Sequence, residues 1–242
     1  MPRIGGRILP PFFIMNRNDT IRLSPRLAAV AELVPTGHSV IDVGTDHAMI
    51  PVWLAQTGRA AHIWASDVRT GPLESAARLI EQTRVGDRVS LRLTDGLQGF
   101  CRENGDVVIL AGMGGETMIS ILSETAWLRE DVLLVLQPQT KQYLLRRWLW
   151  ESGFAAERET LVRDAGRIYT ILTARAGRSD PYSEAELHTG LLSLIGGDAL
   201  LPVYLEQLKK RAADAAPYDP AAAELLREYE NMEERLAKYA VS

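Results

Sequence analysis

Cysteine is nearly absent. Cys101 stands alone among 242 residues, which excludes an internal disulfide and a cysteine-rich zinc site and fits a reducing compartment, the cytoplasm. Long apolar runs are missing as well: no stretch approaches the roughly 20 residues a membrane span requires. The segment that most imitates a secretion signal, residues 8–15 behind Arg3 and Arg7, is broken by Pro10-Pro11 and has no small-residue cleavage site after it, so secretion is not expected. Residues 1–19 read as an N-terminal extension, with Met15 as an alternative start. No compact His/Asp/Glu cluster suggests a metal. Disorder is excluded by composition, with 46% hydrophobic and 24% charged residues.

A bulk excess of positive charge is also lacking, since the net charge is −4. The charge is unevenly spread, however. Residues 181–242 hold 6 basic and 11 acidic side chains, so the acidity belongs to the C-terminal part. The first 26 residues carry Arg3, Arg7, Arg17, Arg22 and Arg26 against Asp19 alone, which suits either a phosphate-facing patch or a solvated arginine-rich end.

What is present is an alternation of apolar strands and helical stretches. Ser24-Pro25 before Arg26-Leu27 is an N-cap followed by proline at the first helical position, predicting a short helix that ends near Pro35. Apolar runs at 39–43, 62–66, 89–93, 107–111 and 132–136 predict strands buried on both faces, with helices at 50–56, 72–83, 117–123 and 142–152 between them. Two further strands, 156–163 and 167–173, flank the turn Asp164-Ala165-Gly166 and predict an antiparallel hairpin. The fold class is therefore α/β, a Rossmann-like, mostly parallel sheet with a terminal antiparallel hairpin, over residues 20–178. After a linker at 176–181, leucines and tyrosines recur at helical spacing. They predict a C-terminal helical hairpin domain over 182–242, coiled-coil-like, with Gly196-Gly197 interrupting its first helix.

The candidate site lies at the strand ends. Asp42-Val43-Gly44-Thr45-Asp46-His47-Ala48 puts an acid and a glycine between a strand and a helix, where a ligand can approach the backbone. The G-x-G-x-x-G that accommodates a pyrophosphate is missing, and Asp46 stands in place of its second glycine. A cationic ligand without phosphate, S-adenosylmethionine, suits Asp42 and Asp46. The plainer alternative is that Asp42 ends a strand and Asp46 caps a helix. Asp67, followed by Val68, ends the second strand 25 residues after Asp42, near the spacing at which a carboxylate accepts hydrogen bonds from a cofactor ribose. Asp95-Gly96-Leu97 follows the third strand, an acid for an adenine amino group and a leucine for the ring, or simply a turn.

Gly112-Met113-Gly114-Gly115 follows the fourth strand beside the place where a transferred methyl would project, leaving room for a planar base or serving packing alone. Gln137-Pro138-Gln139 closes the fifth strand and could offer amides to a substrate edge. His47 is either a proton acceptor or hydrogen-bond partner at the site or a structural imidazole, and Tyr169 and Trp148 could stack on a base but read rather as core. The Asn/Asp-Pro-Pro-Tyr/Phe motif of methyltransferases that act on exocyclic amines is absent.

Taken together, Asp42 to Ala48, Gly112 to Gly115, Leu136-Gln137-Pro138 and Asp164 to Tyr169 resemble the bacterial tRNA (adenine-22-N1)-methyltransferase family over roughly residues 20–175. Ser24-Pro25-Arg26-Leu27 looks like that family's opening Ser-Lys-Arg-Leu, with Pro25 in place of a lysine. The resemblance implies a class I enzyme that moves a methyl group from S-adenosylmethionine to N1 of a tRNA adenine and leaves S-adenosylhomocysteine. By that reading Asp42, Gly44, Asp46, His47, Asp67, Val68, Asp95, Gly96, Leu97 and Gly112 hold the cofactor. Asp46, Gly112, Met113 and Gly114 surround the reacting atoms, and Arg26, Gly115, Gln137 and Pro138 face the RNA. The helical domain would orient tRNA through Lys209, Lys210 and Arg211, or form a homodimer. The alternatives are a methyltransferase of a small molecule or protein, and a non-catalytic RNA-binding module.

Overall fold

The computed structural model describes residues 20–239, so the expected extension at 1–19, with Arg3, Arg7 and Arg17, lies outside the described residues. The chain opens with helix α1 (Pro25–Glu32), whose cap Ser24 accepts a hydrogen bond from the Leu27 amide at 3.4 Å. Five strands follow, β1 (His38–Val43), β2 (Ala60–Asp67), β3 (Val89–Leu93), β4 (Val107–Met113) and β5 (Leu133–Pro138). Between them run α2 (Met49–Gln56), α3 (Thr70–Thr83) and α4 (Gly115–Ser123), and α5 (Gln142–Glu151) leads into the hairpin β6 (Phe154–Asp164) and β7 (Arg167–Ala176). The seven strands form one sheet in the order β3-β2-β1-β4-β5-β7-β6. β1 to β5 are parallel, and β7 inserts antiparallel between β5 and β6.

Strand periodicity sorts the side chains onto two covered faces. Val40, Val107, Ile109, Leu133 and Val135 join the core beneath α1 and α2. Ile41, Val43, Val108, Leu110, Leu134 and Leu136 join the one beneath α4 and α5. Each such side chain is essentially fully buried, worth about 1.5–3 kcal/mol relative to exposure. The same alternation places Asp42, Asp67 and Gln137, which continue the first set, on the α1 and α2 side of the sheet's carboxyl edge.

After β7 the chain is helical: α6 (Glu184–Thr189), α7 (Leu192–Ile195), α8 (Leu201–Ala215) and α9 (Pro220–Tyr239). The expected interruption at Gly196 is present, but a second break at Gly190, with φ +111°, splits the segment again. The cause is tertiary: a Cβ on Gly190 would overlap the Glu159 carboxylate, so the chain turns there with no side chain. These helices share a core with the hairpin's outer face, through Leu161 and Ile168 against Leu192, Leu201, Leu205 and Tyr229. A fully buried ion pair fastens the joint. Arg146 of α5 meets Glu159 of β6 at 2.9 Å and donates to the Leu187 carbonyl at 2.8 Å, while Glu159 also accepts from the Leu191 amide at 3.3 Å. No helix among the described residues is long and apolar enough to cross a membrane.

Candidate functional site

Three chain reversals build the site at the carboxyl edge of β1, β4 and β5. The first, after β1, contains three left-handed residues within five: Gly44 (φ +72°), Asp46 (φ +51°) and Ala48 (φ +54°). Such backbone is costly outside glycine and persists only where surroundings impose it. Here the Gly44 and Thr45 amides both donate to the Ser66 carbonyl at 2.8 and 2.9 Å, hanging the loop on the end of β2. Gly44 is needed twice, because a Cβ there would also lie 3.0 Å from Met113 Cε.

That loop encloses Asp42, which is 4% exposed. The only side-chain hydrogen-bond donor to its carboxylate among the described residues is the Thr45 hydroxyl, at 2.6 Å. Burial, and secondarily the neighbouring Asp67 carboxylate, push Asp42 up to about 7, with the Thr45 hydrogen bond acting in the opposite direction. Asp67 is equally buried and receives the backbone amide of Arg69 at 2.9 Å. Val68 stands beside it 60% exposed, an apolar surface next to an acid. Among the described residues Asp42 has no ion-pair partner and Asp67 only the exposed guanidinium of Arg69 at 3.5 Å, so the two buried carboxylates make a pocket of negative potential.

Asp46 does not cap a helix. The cap position of α2 is Ala48, which makes no side-chain cap bond, so the structural alternative for Asp46 falls away. Its exposed carboxylate lies 3.6 Å from His47 Nε2 on the rim. Asp95 is exposed after β3, at the edge of a depression of about 500 Å³ also lined by Gly96, Leu97, Ile121 and Trp127. Leu97 is 4% exposed and packs into the core against α4, so it offers little surface to a ring.

The second reversal begins within the end of β4, which kinks at Gly112 (φ +82°), where the β4 and β5 registers shift. It is laced to the third, after β5. The Gln139 amide donates to the Met113 carbonyl and the Gly115 amide to the Thr140 carbonyl, both at 2.9 Å. Gly115 is buried, and a Cβ there would run into the Lys141 carbonyl, so close approach of backbones is why it is glycine.

Gln137 requires a correction. It is fully buried, and its amide is spent internally: Oε1 accepts from Arg26 Nη1 at 2.6 Å and Nε2 donates to the Pro138 carbonyl at 2.9 Å. It has no amide edge to give a substrate, and Pro138 is buried beside it. Its role is to aim Arg26. That guanidinium lies 5.5 Å from the Tyr169 ring centroid and 3.9 Å from Asp164, and it approaches the bare Cα of Gly112. Asp164 also takes the Ser24 hydroxyl at 2.7 Å, pinning α1 to the hairpin. The sequence reading missed Asp164 and Thr45 as parts of the site and preferred a core role for Tyr169. All three stand inside the motif segments Asp42 to Ala48 and Asp164 to Tyr169, but only the fold brings the second segment to Arg26.

Residues 23–172 match a methyltransferase domain. The tRNA (adenine(22)-N(1))-methyltransferase of Bacillus subtilis (strain 168) is 33% identical over 176 residues, 72% of this chain and 74% of the relative. The chain belongs to the tRNA (adenine(22)-N(1))-methyltransferase family. Its fold is likewise that of solved structures. The Streptococcus pneumoniae protein Sp1610 in complex with S-adenosyl-L-methionine superposes with a TM-score of 0.77 at 30% identity, covering 89% of this chain and 100% of that one. The B. subtilis M1A22 tRNA methyltransferase gives 0.72 at 26% identity, covering 90% and 98%. In this member of the tRNA (adenine(22)-N(1))-methyltransferase family, the matched span runs from just before Ser24 to Leu172, where β7 begins to pair with β5. It thus includes every group that holds Arg26 and leaves α6 to α9 outside.

Proposed function

We propose that this chain transfers a methyl group from S-adenosylmethionine to N1 of adenine 22 in tRNA. The observation that carries the reading is the pair of buried acids, Asp42 and Asp67, at adjacent strand ends, where Asp42 has no ion-pair partner among the described residues and Asp67 only the exposed Arg69 guanidinium at 3.5 Å. The residues present fit the cofactor. The acids offer counter-charge to an ammonium and a sulfonium, Gly44 and Gly112 leave the backbone bare, and exposed Val68 offers an apolar edge. Bound there, S-adenosylmethionine supplies an electrophilic methyl.

The chain's own part is positioning and electrostatics. Gly112 keeps the acceptor side open, the buried Gly115 lets the Lys141 backbone pack close instead of facing it, and Arg26, held by Gln137, Tyr169 and Asp164, supplies a fixed donor beside it. Adenine N1 already carries a lone pair, so no residue has to remove a proton before attack. Methylation makes the ring cationic, and Asp46, exposed on the left-handed loop, is placed to stabilise that developing charge. N1 lies on the Watson–Crick edge, so a paired target must first be exposed, at a cost of a few kcal/mol. The enzyme is assigned to the cytoplasm, and dimerisation through α8 and α9 is part of the same proposal.

Mapping radiolabelled methyl groups on unmodified tRNA tests the reading: label at N1 of adenine 22 is expected, and label on another base or none would refute it. Asp46→Asn is expected to lower kcat about tenfold to a hundredfold while leaving cofactor affinity within about threefold. Loss confined to cofactor binding would reassign Asp46 to the cofactor.

A further inference from the structure

The β6–β7 hairpin reaches beyond the sheet it belongs to. β5 ends at Pro138 and pairs Leu136 with Leu172. The stretch of β7 from Arg167 to Tyr169 therefore projects past β5 by about 10 Å at the usual strand rise, forming a wall over the acceptor side of the site. Asp164 and Arg167 face each other across the ladder, so they lie on one face of the hairpin, and Tyr169, two residues along, shares it. This is the face on which Arg26 sits.

Opposite charges in that cross-strand position ordinarily pair. Here they do not. Asp164 is drawn away to Ser24 and Arg26, leaving Arg167 exposed, with no hydrogen bond or ion pair from its side chain among the described residues. Arg22 is in the same state. Ile21 and Leu23 turn into the α1-side core, leaving Arg22 and Ser24 outward, and Ser24 touches the hairpin through Asp164. Three other arginines of the sheet domain are neutralised, Arg102 by Asp106, Arg147 by Glu184 and Arg175 by Asp131 and Glu157. Arg84, Arg158, Arg163 and Arg178 are also exposed without an ion pair among the described residues, so what sets Arg22 and Arg167 apart is their place on the α1 segment and the hairpin face beside Arg26. In the helical segment Lys209 is tied to Glu233 and Glu206, while Lys210 and Arg211 beside it are exposed without an ion pair among the described residues.

We infer that the α1 segment and the hairpin wall form a clamp for the phosphodiester backbone of the RNA strand carrying the target base. Arg22 and Arg167 grip phosphates, and Arg26 is the innermost donor of the series. The inference rests on the tRNA methyltransferase reading and gives it a contact surface.

The test is the salt dependence of tRNA binding by the full chain. Arg22→Gln/Arg167→Gln is compared with wild type and with Arg84→Gln, which removes an exposed, unpartnered arginine at the opposite sheet edge. S-adenosylmethionine affinity serves as the check that each variant is folded. The double variant is expected to bind tRNA more weakly and to lose about two units of the slope of log K against log salt concentration, one per phosphate contact, with Arg84→Gln matching wild type. Equal slopes for all three proteins would overturn the clamp while leaving the methyltransferase reading standing. A wild-type protein that methylates no tRNA would overturn that reading itself.

Discussion

Asp42 and Glu159 are each 4% exposed, yet they do opposite work. Glu159 has a cation of its own, since Arg146 meets it within the fold, and the Leu187 carbonyl and the Leu191 amide add a hydrogen bond on either side. Asp42 has a hydroxyl, a neighbouring acid and no cation. A buried carboxylate whose counter-charge is built in acts as a joint, here fastening the helical segment to the sheet. One whose counter-charge is missing raises its own pKa and becomes a receptor for a cation from outside. The same fold holds both because burial alone does not fix the role; the partner does.

Breaking the joint carries the largest expected effect. Glu159→Gln leaves Arg146 buried without its anion and should cost about 3–5 kcal/mol in denaturant unfolding. The same change at the receptor should have the reverse pattern. Asp42→Asn keeps the Thr45 hydrogen bond but removes the charge, so cofactor affinity measured by calorimetry should fall about a hundredfold, or about 2.7 kcal/mol, while the cofactor-free protein at pH 8 becomes no less stable. A loss of stability at Asp42 comparable to that at Glu159 would erase the distinction.

A smaller effect sharpens the comparison through pH. His188 lies at the joint, stacked on Tyr143 at 4.7 Å. Burial, then Arg146 and Arg147, push it down to about 4. Its folded pKa is below its unfolded value, so its contribution is present above about pH 6.5 and lost as pH falls toward 4, about 3 kcal/mol in all. Asp42 has the opposite sign. Its folded pKa of about 7 lies above its unfolded value, so its contribution is full below about pH 4 and lost as pH rises through 7. Urea midpoints from pH 8 to pH 4 should show the acid-side loss shrink in His188→Gln and persist in Asp42→Asn.

These differences also mark how far the sequence could be read. The five parallel strands were legible because strands covered on both faces are apolar throughout, and the acids at their ends stand out against that background. The break at Gly190 was not, since it depends on Glu159, 31 positions earlier in the chain and on another element. Gln137 was legible as a strand-end amide, but its partner Arg26 lies 111 residues away, and only the fold shows that the amide is already spent. Asp164 read as a turn residue for the same reason: its contacts to Ser24 and Arg26 span about the whole domain.

The most direct measurement is a calorimetric titration of the wild-type protein with S-adenosylmethionine across pH 5.5–8, run at pH 6.5 in two buffers of different ionisation enthalpy. If Asp42 must ionise to receive the cofactor, affinity climbs toward tenfold per pH unit below about 7, and binding at pH 6.5 releases part of a proton to the buffer. Affinity that is flat across this range, with no proton released, would contradict the claim that Asp42 waits for a cation from outside.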